Sequence, residues 1–156
     1  MTSFDQVVLV VPMLALAASI TYYAMILRNQ NKTLQTQLFL QFYNKLTDKQ
    51  FYEEFKETRD QKWSDYDDYI EKYGHGPTLF DLFLEGVGLL VKRGQIDITF
   101  VDDLMSSLVI NYWHSHGSIM LEMRKRRKMP QVAEWTEYLY HEIMKVVSKQ
   151  HPELAT

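Results

Sequence analysis

The stretch LFDLFLEGVGLLVKRGQIDITF, residues 79–100, decides the fold. Its first part is apolar on nearly every side: Leu79, Phe80, Leu82, Phe83, Leu84, Val87, Leu89, Leu90 and Val91, broken by Asp81, Glu85 and Lys92. A helix apolar almost all round is a central one. Gly86 and Gly88 cost helix propensity there, so close backbone packing is expected to compensate. Its last part, IDITF, alternates as a short strand would. The punctuation between the parts favours helix. Gly94 reads as a C-cap, and Lys92 and Arg93 complement the preceding helix dipole. Asp97 reads as the next N-cap, with Ile96 and Val101 at the positions of a hydrophobic staple. Two helices joined by a tight corner follow, and with them an all-α fold.

The same reasoning extends in both directions. Downstream, a helix is expected from Ile98 towards Lys128, kinked near Gly117. The last helix runs from Pro130 to about Lys149, with Val132, Trp135, Leu139, Ile143 and Val146 facing inward. Upstream, His75-Gly76-Pro77 is a loop and Thr78 caps the central helix. Ser64 caps a helix that Gly74 ends at Tyr73, with Asp65, Asp67 and Asp68 near its positive end. Thr47 and Gln50 form a T-x-x-Q capping box, with Leu46 and Phe51 as its staple, for a helix over residues 48–59. Before that, Leu34, Leu38, Phe42 and Leu46 mark one apolar face, and Gln30, Gln35, Gln37 and Gln41 keep the rest polar.

Residues 7–27, VVLVVPMLALAASITYYAMIL, carry no charge. As a helix they would span about 31 Å, against roughly 30 Å of bilayer hydrocarbon. Tyr22 and Tyr23 sit where an aromatic belt would lie, and Pro12 falls in the first turns. A cleaved signal peptide is the first alternative, given Ala15-Leu16-Ala17. Against it, the apolar run continues past that site, and Asp5 stands where basic residues belong. A buried core helix is the second, but the run is long for one. The expected organisation is a transmembrane anchor over residues 1–30 and a helical domain over residues 31–156. Arg28 and Lys32 follow the span, which places the N-terminus outside and the domain in the cytoplasm.

Composition narrows the classes further. The chain has 156 residues, a net charge of -3 and no cysteine. That length supports one domain with a real core. Disulfides and thiolate metal sites are excluded, and the mild acidity argues against general nucleic-acid binding. No P-loop, G-x-G-x-x-G, G-x-S-x-G or HExxH motif is present.

Several groups of residues invite a chemical reading. His116, Met120 and Met123 share a helix face, and sulfur with imidazole suits copper; a core stripe with one buried histidine is the plainer account. His114 and His116, two apart, do not share a helix face. Glu137 and His141 are four apart, but the Glu-x-x-His di-iron signature is absent. Asp81 and Glu85 suit an acid/base pair in a pocket, or the wet edge of a buried helix. The aromatics Trp63, Tyr66, Tyr69 and Tyr73 lie among aspartates, which suits a protein partner or the core better than phosphate.

The last group is the run Arg124, Lys125, Arg126, Arg127 and Lys128. One or two cations complement a helix C-terminus, whereas five in a row repel one another. Anionic lipid or an acidic partner is the leading reading, since each cation near a bilayer is worth about 1 kcal/mol. A solvated helix end comes second and nucleic acid third.

ITYYAMILRNQNKTLQTQLFLQFYNKL resembles the start of small single-span membrane proteins of prokaryotes, archaea in particular. FLEGVGLLVKRGQIDITFVDDL, followed by Trp113 and by Met123-Arg124, resembles an uncharacterised domain family of the same layout. The resemblance covers most of the chain and implies a membrane-anchored helical domain. It brings no activity, cofactor or catalytic residue. The expected function is a non-catalytic accessory or scaffold subunit of a membrane complex, partnered by other membrane subunits. A regulator reading anionic lipid and a metal protein or enzyme are the alternatives. No catalytic residue or cofactor is assigned.

Overall fold

A computed structural model describes the backbone of residues 3–154 and the side chains of residues 16–153. The described residues form six α-helices and a closing 3-10 turn, with no strand. The helices are α1 (Ser3–Thr47), α2 (Lys49–Asp60), α3 (Tyr66–Tyr73), α4 (Leu79–Lys92), α5 (Ile98–Arg127) and α6 (Glu134–Gln150); the turn is Pro152–Leu154. IDITF is therefore the start of a helix. The chain divides into two compact units, Met1–Asn44 and Lys45–Thr156.

The first unit is a single helical stretch. Leu16, Ile20, Tyr22, Tyr23, Met25 and Leu27 are each more than 60% exposed within it. These positions fall on opposing sides of the helix, so no one face of a soluble neighbour would cover them. Thr21 turns its hydroxyl back to the carbonyl of Ala17 at 2.9 Å, leaving no side-chain donor unmet on that turn. Among the described residues no helix is long and apolar enough to cross a membrane. The first part of the expected span, residues 7–15, lies outside the residues whose side chains are described.

In the second unit most helix ends are set by local chemistry. Thr78 and Asp81 form a full capping box on α4: the Thr78 hydroxyl accepts from the Asp81 N–H at 3.0 Å, and Asp81 accepts from the Thr78 N–H at 2.7 Å. At the other end Arg93 is the cap and Gly94, at φ 67°, is the left-handed residue after it. The N–H of Gln95 reaches Leu90 and that of Gly94 reaches Val91, which is a Schellman closure. Asp97 then caps α5 through the N–H of Thr99, and Ile96 and Val101 are both buried beside the corner.

Two expected caps move by one residue. Asp48, not Thr47, caps α2 by accepting from the N–H of Phe51 at 2.9 Å. Asp65, not Ser64, caps α3 by accepting from Asp68 at 3.0 Å. In both places two good capping residues stand side by side, and the carboxylate, which couples to the helix dipole, takes the position. The kink in α5 also moves, to Met105 (φ -148°, ψ 19°). Gly117 has another use: a Cβ there would come within 2.9 Å of the Trp113 indole, so glycine makes room for that ring.

Helix α6 packs mainly on α4 and α5. It begins at Glu134 rather than near Pro130, because residues 128–133 form a turn opened by Lys128 (φ 55°) and closed by Ala133 (φ 53°). Phe80, Leu84, Val109, Leu139 and Ile143 are fully enclosed, and the Phe80 ring meets those of Phe51, Phe55 and Tyr112. Gly88 is where α4 and α6 come closest: a Cβ there would lie 2.1 Å from the Trp135 carbonyl oxygen. Gly86, by contrast, faces open space. The close approach expected of both glycines belongs to one of them.

Candidate functional site

A cavity of about 500 Å³ opens in the second unit between α3, α4, α5 and the turn into α6. One wall comes from α4. Asp81 and Glu85 are four residues apart and so share a helix face, and both line the cavity. Asp81 also caps its own helix, as described above. Its other oxygen accepts a short hydrogen bond from the Tyr112 hydroxyl of α5. Glu85 is held from α6: one oxygen accepts both the Thr136 N–H and the Thr136 hydroxyl, each at 2.7 Å. Its second oxygen has no hydrogen-bond partner among the described residues. Two carboxylates are thus fixed in position, one with a free acceptor.

Tyrosines supply the neighbouring polar groups. Tyr112 is almost wholly buried; burial, then the charge of Asp81, pushes its phenol well above the ordinary value. Tyr69 of α3 is 5% exposed and lines the same cavity. Burial and then Asp81 push its phenol up to about 12. The Tyr69 hydroxyl makes no hydrogen bond within the described residues. The rest of the lining is largely apolar and polarisable, with Met120, Met123 and Met129, Val132 and Pro77. At the rim Arg127 donates to the backbone carbonyl of His75 at 3.2 Å.

The structure separates the proposed copper residues. Met120 and Met123 line the cavity, whereas His116 contributes to a different, small void with Phe55 and Thr58. The His116 ring stacks on Tyr112 with centroids 4.6 Å apart and lies 4.8 Å from Trp63. Its Nδ1 is 2.7 Å from the Ser115 hydroxyl and its Nε2 is 3.3 Å from Gln61 Oε1. Both ring nitrogens thus have a polar partner, and the Ser115 hydroxyl also donates to the Asn111 and Tyr112 carbonyls at 2.9 and 3.0 Å. Burial lowers the His116 pKa, which favours the neutral ring. His114 turns away to the Tyr140 hydroxyl of α6 at 3.2 Å. Glu137 and His141 approach at 3.9 Å, but Glu137 is engaged elsewhere. Among the described residues no group of three or more His, Cys, Asp or Glu is placed to hold a metal ion.

The five-cation run is divided among several tasks. Arg124, 18% exposed, donates to the Val132 carbonyl and pairs with Glu137, tying the end of α5 to the turn and to α6. Arg126 pairs with Glu122 at 2.8 Å and with Asp67 of α3 at 2.7 Å, and its guanidinium lies 4.5 Å from the Tyr66 ring centroid. Arg127 reaches the His75 carbonyl at the cavity rim. Lys125 is 81% exposed and meets Glu122 only at 3.9 Å. Lys128 is exposed, has no ion pair among the described residues, and serves as the left-handed cap of α5.

The aromatic run of α3 goes largely inward. Tyr66 and Tyr69 join Ile119 and Met123 in a buried cluster against which Trp63, Ile70 and Val132 pack. Tyr112, Thr136 and Met129 were not singled out from the sequence as site residues. Each lies on another element from Asp81 and Glu85, and no local pattern links them.

Together these features define an all-α domain with a small-molecule-sized cavity lined by two carboxylates and three methionines. The chain belongs to DUF4760, a domain of unknown function, whose family profile matches residues 11–143. No curated protein and no solved structure matches it.

Proposed function

We propose that the chain is a non-catalytic, membrane-anchored protein whose helical domain lies in the cytoplasm and serves as an accessory or scaffold subunit of a membrane complex. One observation carries the reading. Six large apolar side chains between Leu16 and Leu27 are each more than 60% exposed on a helix that is a unit to itself. Exposed apolar surface of that extent calls for lipid or another apolar helix around it. In the sequence the uncharged run begins at residue 7, and Arg28 and Lys32, which follow it, orient it.

The lipid-reading regulator draws less support. Arg124 and Arg126 are ion-paired to carboxylates of the same chain. Lys125, Arg127 and Lys128 remain, worth about 3 kcal/mol together at an anionic surface by the usual allowance per cation. That is too little to hold a domain of this size to a bilayer unaided.

Washing native membranes with alkaline carbonate and with high salt tests the anchor. The full chain is expected to stay in the membrane through both, and a chain lacking residues 1–30 to be released. Release of the full chain by either wash overturns the anchor. Gentle detergent extraction followed by native mass measurement tests the subunit role: a stoichiometric membrane partner is expected, and migration of the chain alone removes that role.

A further inference from the structure

We propose that the cavity between α3, α4 and α5 is a binding site for a small organic cation, an amine carried on an apolar body. The inference does not depend on the membrane anchor. Its basis is what the walls leave unmet. Glu85 is clamped by Thr136 through one oxygen and leaves the other free. The Tyr69 hydroxyl makes no hydrogen bond among the described residues, in a residue that is 5% exposed and lines the space. Both groups border the one cavity, where a ligand can reach them. Glu85 and Tyr69 both offer acceptor lone pairs, and an ammonium group brings three donors.

Charge selects the same class. Asp81 and Glu85 together present two carboxylates from one face of α4, against a single guanidinium in the lining, Arg127, which donates to the His75 carbonyl. An anion would meet both carboxylates. A metal ion would find only those two carboxylates, with no third His, Cys, Asp or Glu grouped with them among the described residues. Met120, Met123 and Met129 supply a soft, adaptable wall that suits an apolar body rather than a second charge. The volume of about 500 Å³ falls in the range of small-molecule sites.

The test uses the full chain in lipid nanodiscs and 2-phenylethylamine as probe, with 2-phenylethanol and 3-phenylpropanoate as its neutral and anionic counterparts. Binding is read by calorimetry and by ligand-observed NMR. The amine is expected to saturate one site, at least roughly tenfold more tightly than the alcohol, with no binding of the carboxylate. Glu85→Gln keeps an acceptor for Thr136 but loses the charge, and is expected to weaken the amine roughly tenfold while leaving the alcohol unchanged. Tyr69→Phe, which preserves the ring, gives a second and smaller loss if Glu85→Gln fails to fold. Equal binding of amine and alcohol, no saturable binding of the amine, or wild-type affinity in both variants overturns the proposal. The membrane washes described above read the anchor separately, so the two readings fail independently.

Discussion

Two monotonous stretches of this chain have opposite fates. The three arginines of residues 124–128 find partners within the same domain: Glu137, Asp67, and the carbonyls of Val132 and His75. The apolar residues between Leu16 and Leu27 stay exposed on their own helix. In the sequence both runs look like surfaces meant for something outside. The difference is that charges can be met by partners many residues away, one at a time. A helix apolar on opposing sides needs a continuous apolar surrounding, which one small domain does not provide.

The comparison breaks first at Arg124. If its role is internal, Arg124→Ala should destabilise the second unit by about 3 kcal/mol, because Glu137 and the Val132 carbonyl lose their donor in a largely buried setting. Lys125→Ala should change stability by less than about 0.5 kcal/mol. Chemical denaturation of the two variants measures the gap, and equal effects would return the run to a solvated patch.

A second contrast lies within one helix. Gly88→Ala should cost about 2 kcal/mol, since its methyl group meets the Trp135 backbone, while Gly86→Ala should gain about 0.8 kcal/mol from helix propensity alone. Thermal melts of both variants would show shifts of opposite sign. Smaller again is Lys128→Gly. If Lys128 acts through its left-handed backbone and not its charge, glycine should add up to about 1 kcal/mol.

The least effect is that of pH at His116. Burial lowers its pKa in the folded state, so the native ring stays neutral while the unfolded chain takes a proton. Its contribution is whole above the ordinary histidine value of about 6.5 and is lost as the pH falls below it. An NMR titration should place the His116 midpoint below that value, and a midpoint above it would contradict the burial of the ring.

The elements were legible where their signals are local. Thr78 with Asp81, and Gly94 with Asp97, act over a few residues, so the ends of α4 and the start of α5 could be read directly. Where Thr47 abuts Asp48 and Ser64 abuts Asp65, two local signals compete and the boundary slips by one. The candidate site was legible only in part. Asp81 and Glu85 lie on one helix turn and could be paired by spacing. Thr136 is 51 residues from Glu85 and Tyr112 is 31 from Asp81, and packing alone brings them together. The partners of the basic run are hidden for the same reason, with Asp67 lying 59 residues from Arg126.

Asp81 has a consequence of its own. One of its oxygens faces the Tyr112 hydroxyl at the cavity, and the other holds the Thr78 amide at the first turn of α4. Any occupant that draws on this carboxylate must alter how firmly that amide is held. Hydrogen–deuterium exchange at Thr78 is therefore a built-in gauge of the cavity, read from the protein's own backbone without labelling the ligand.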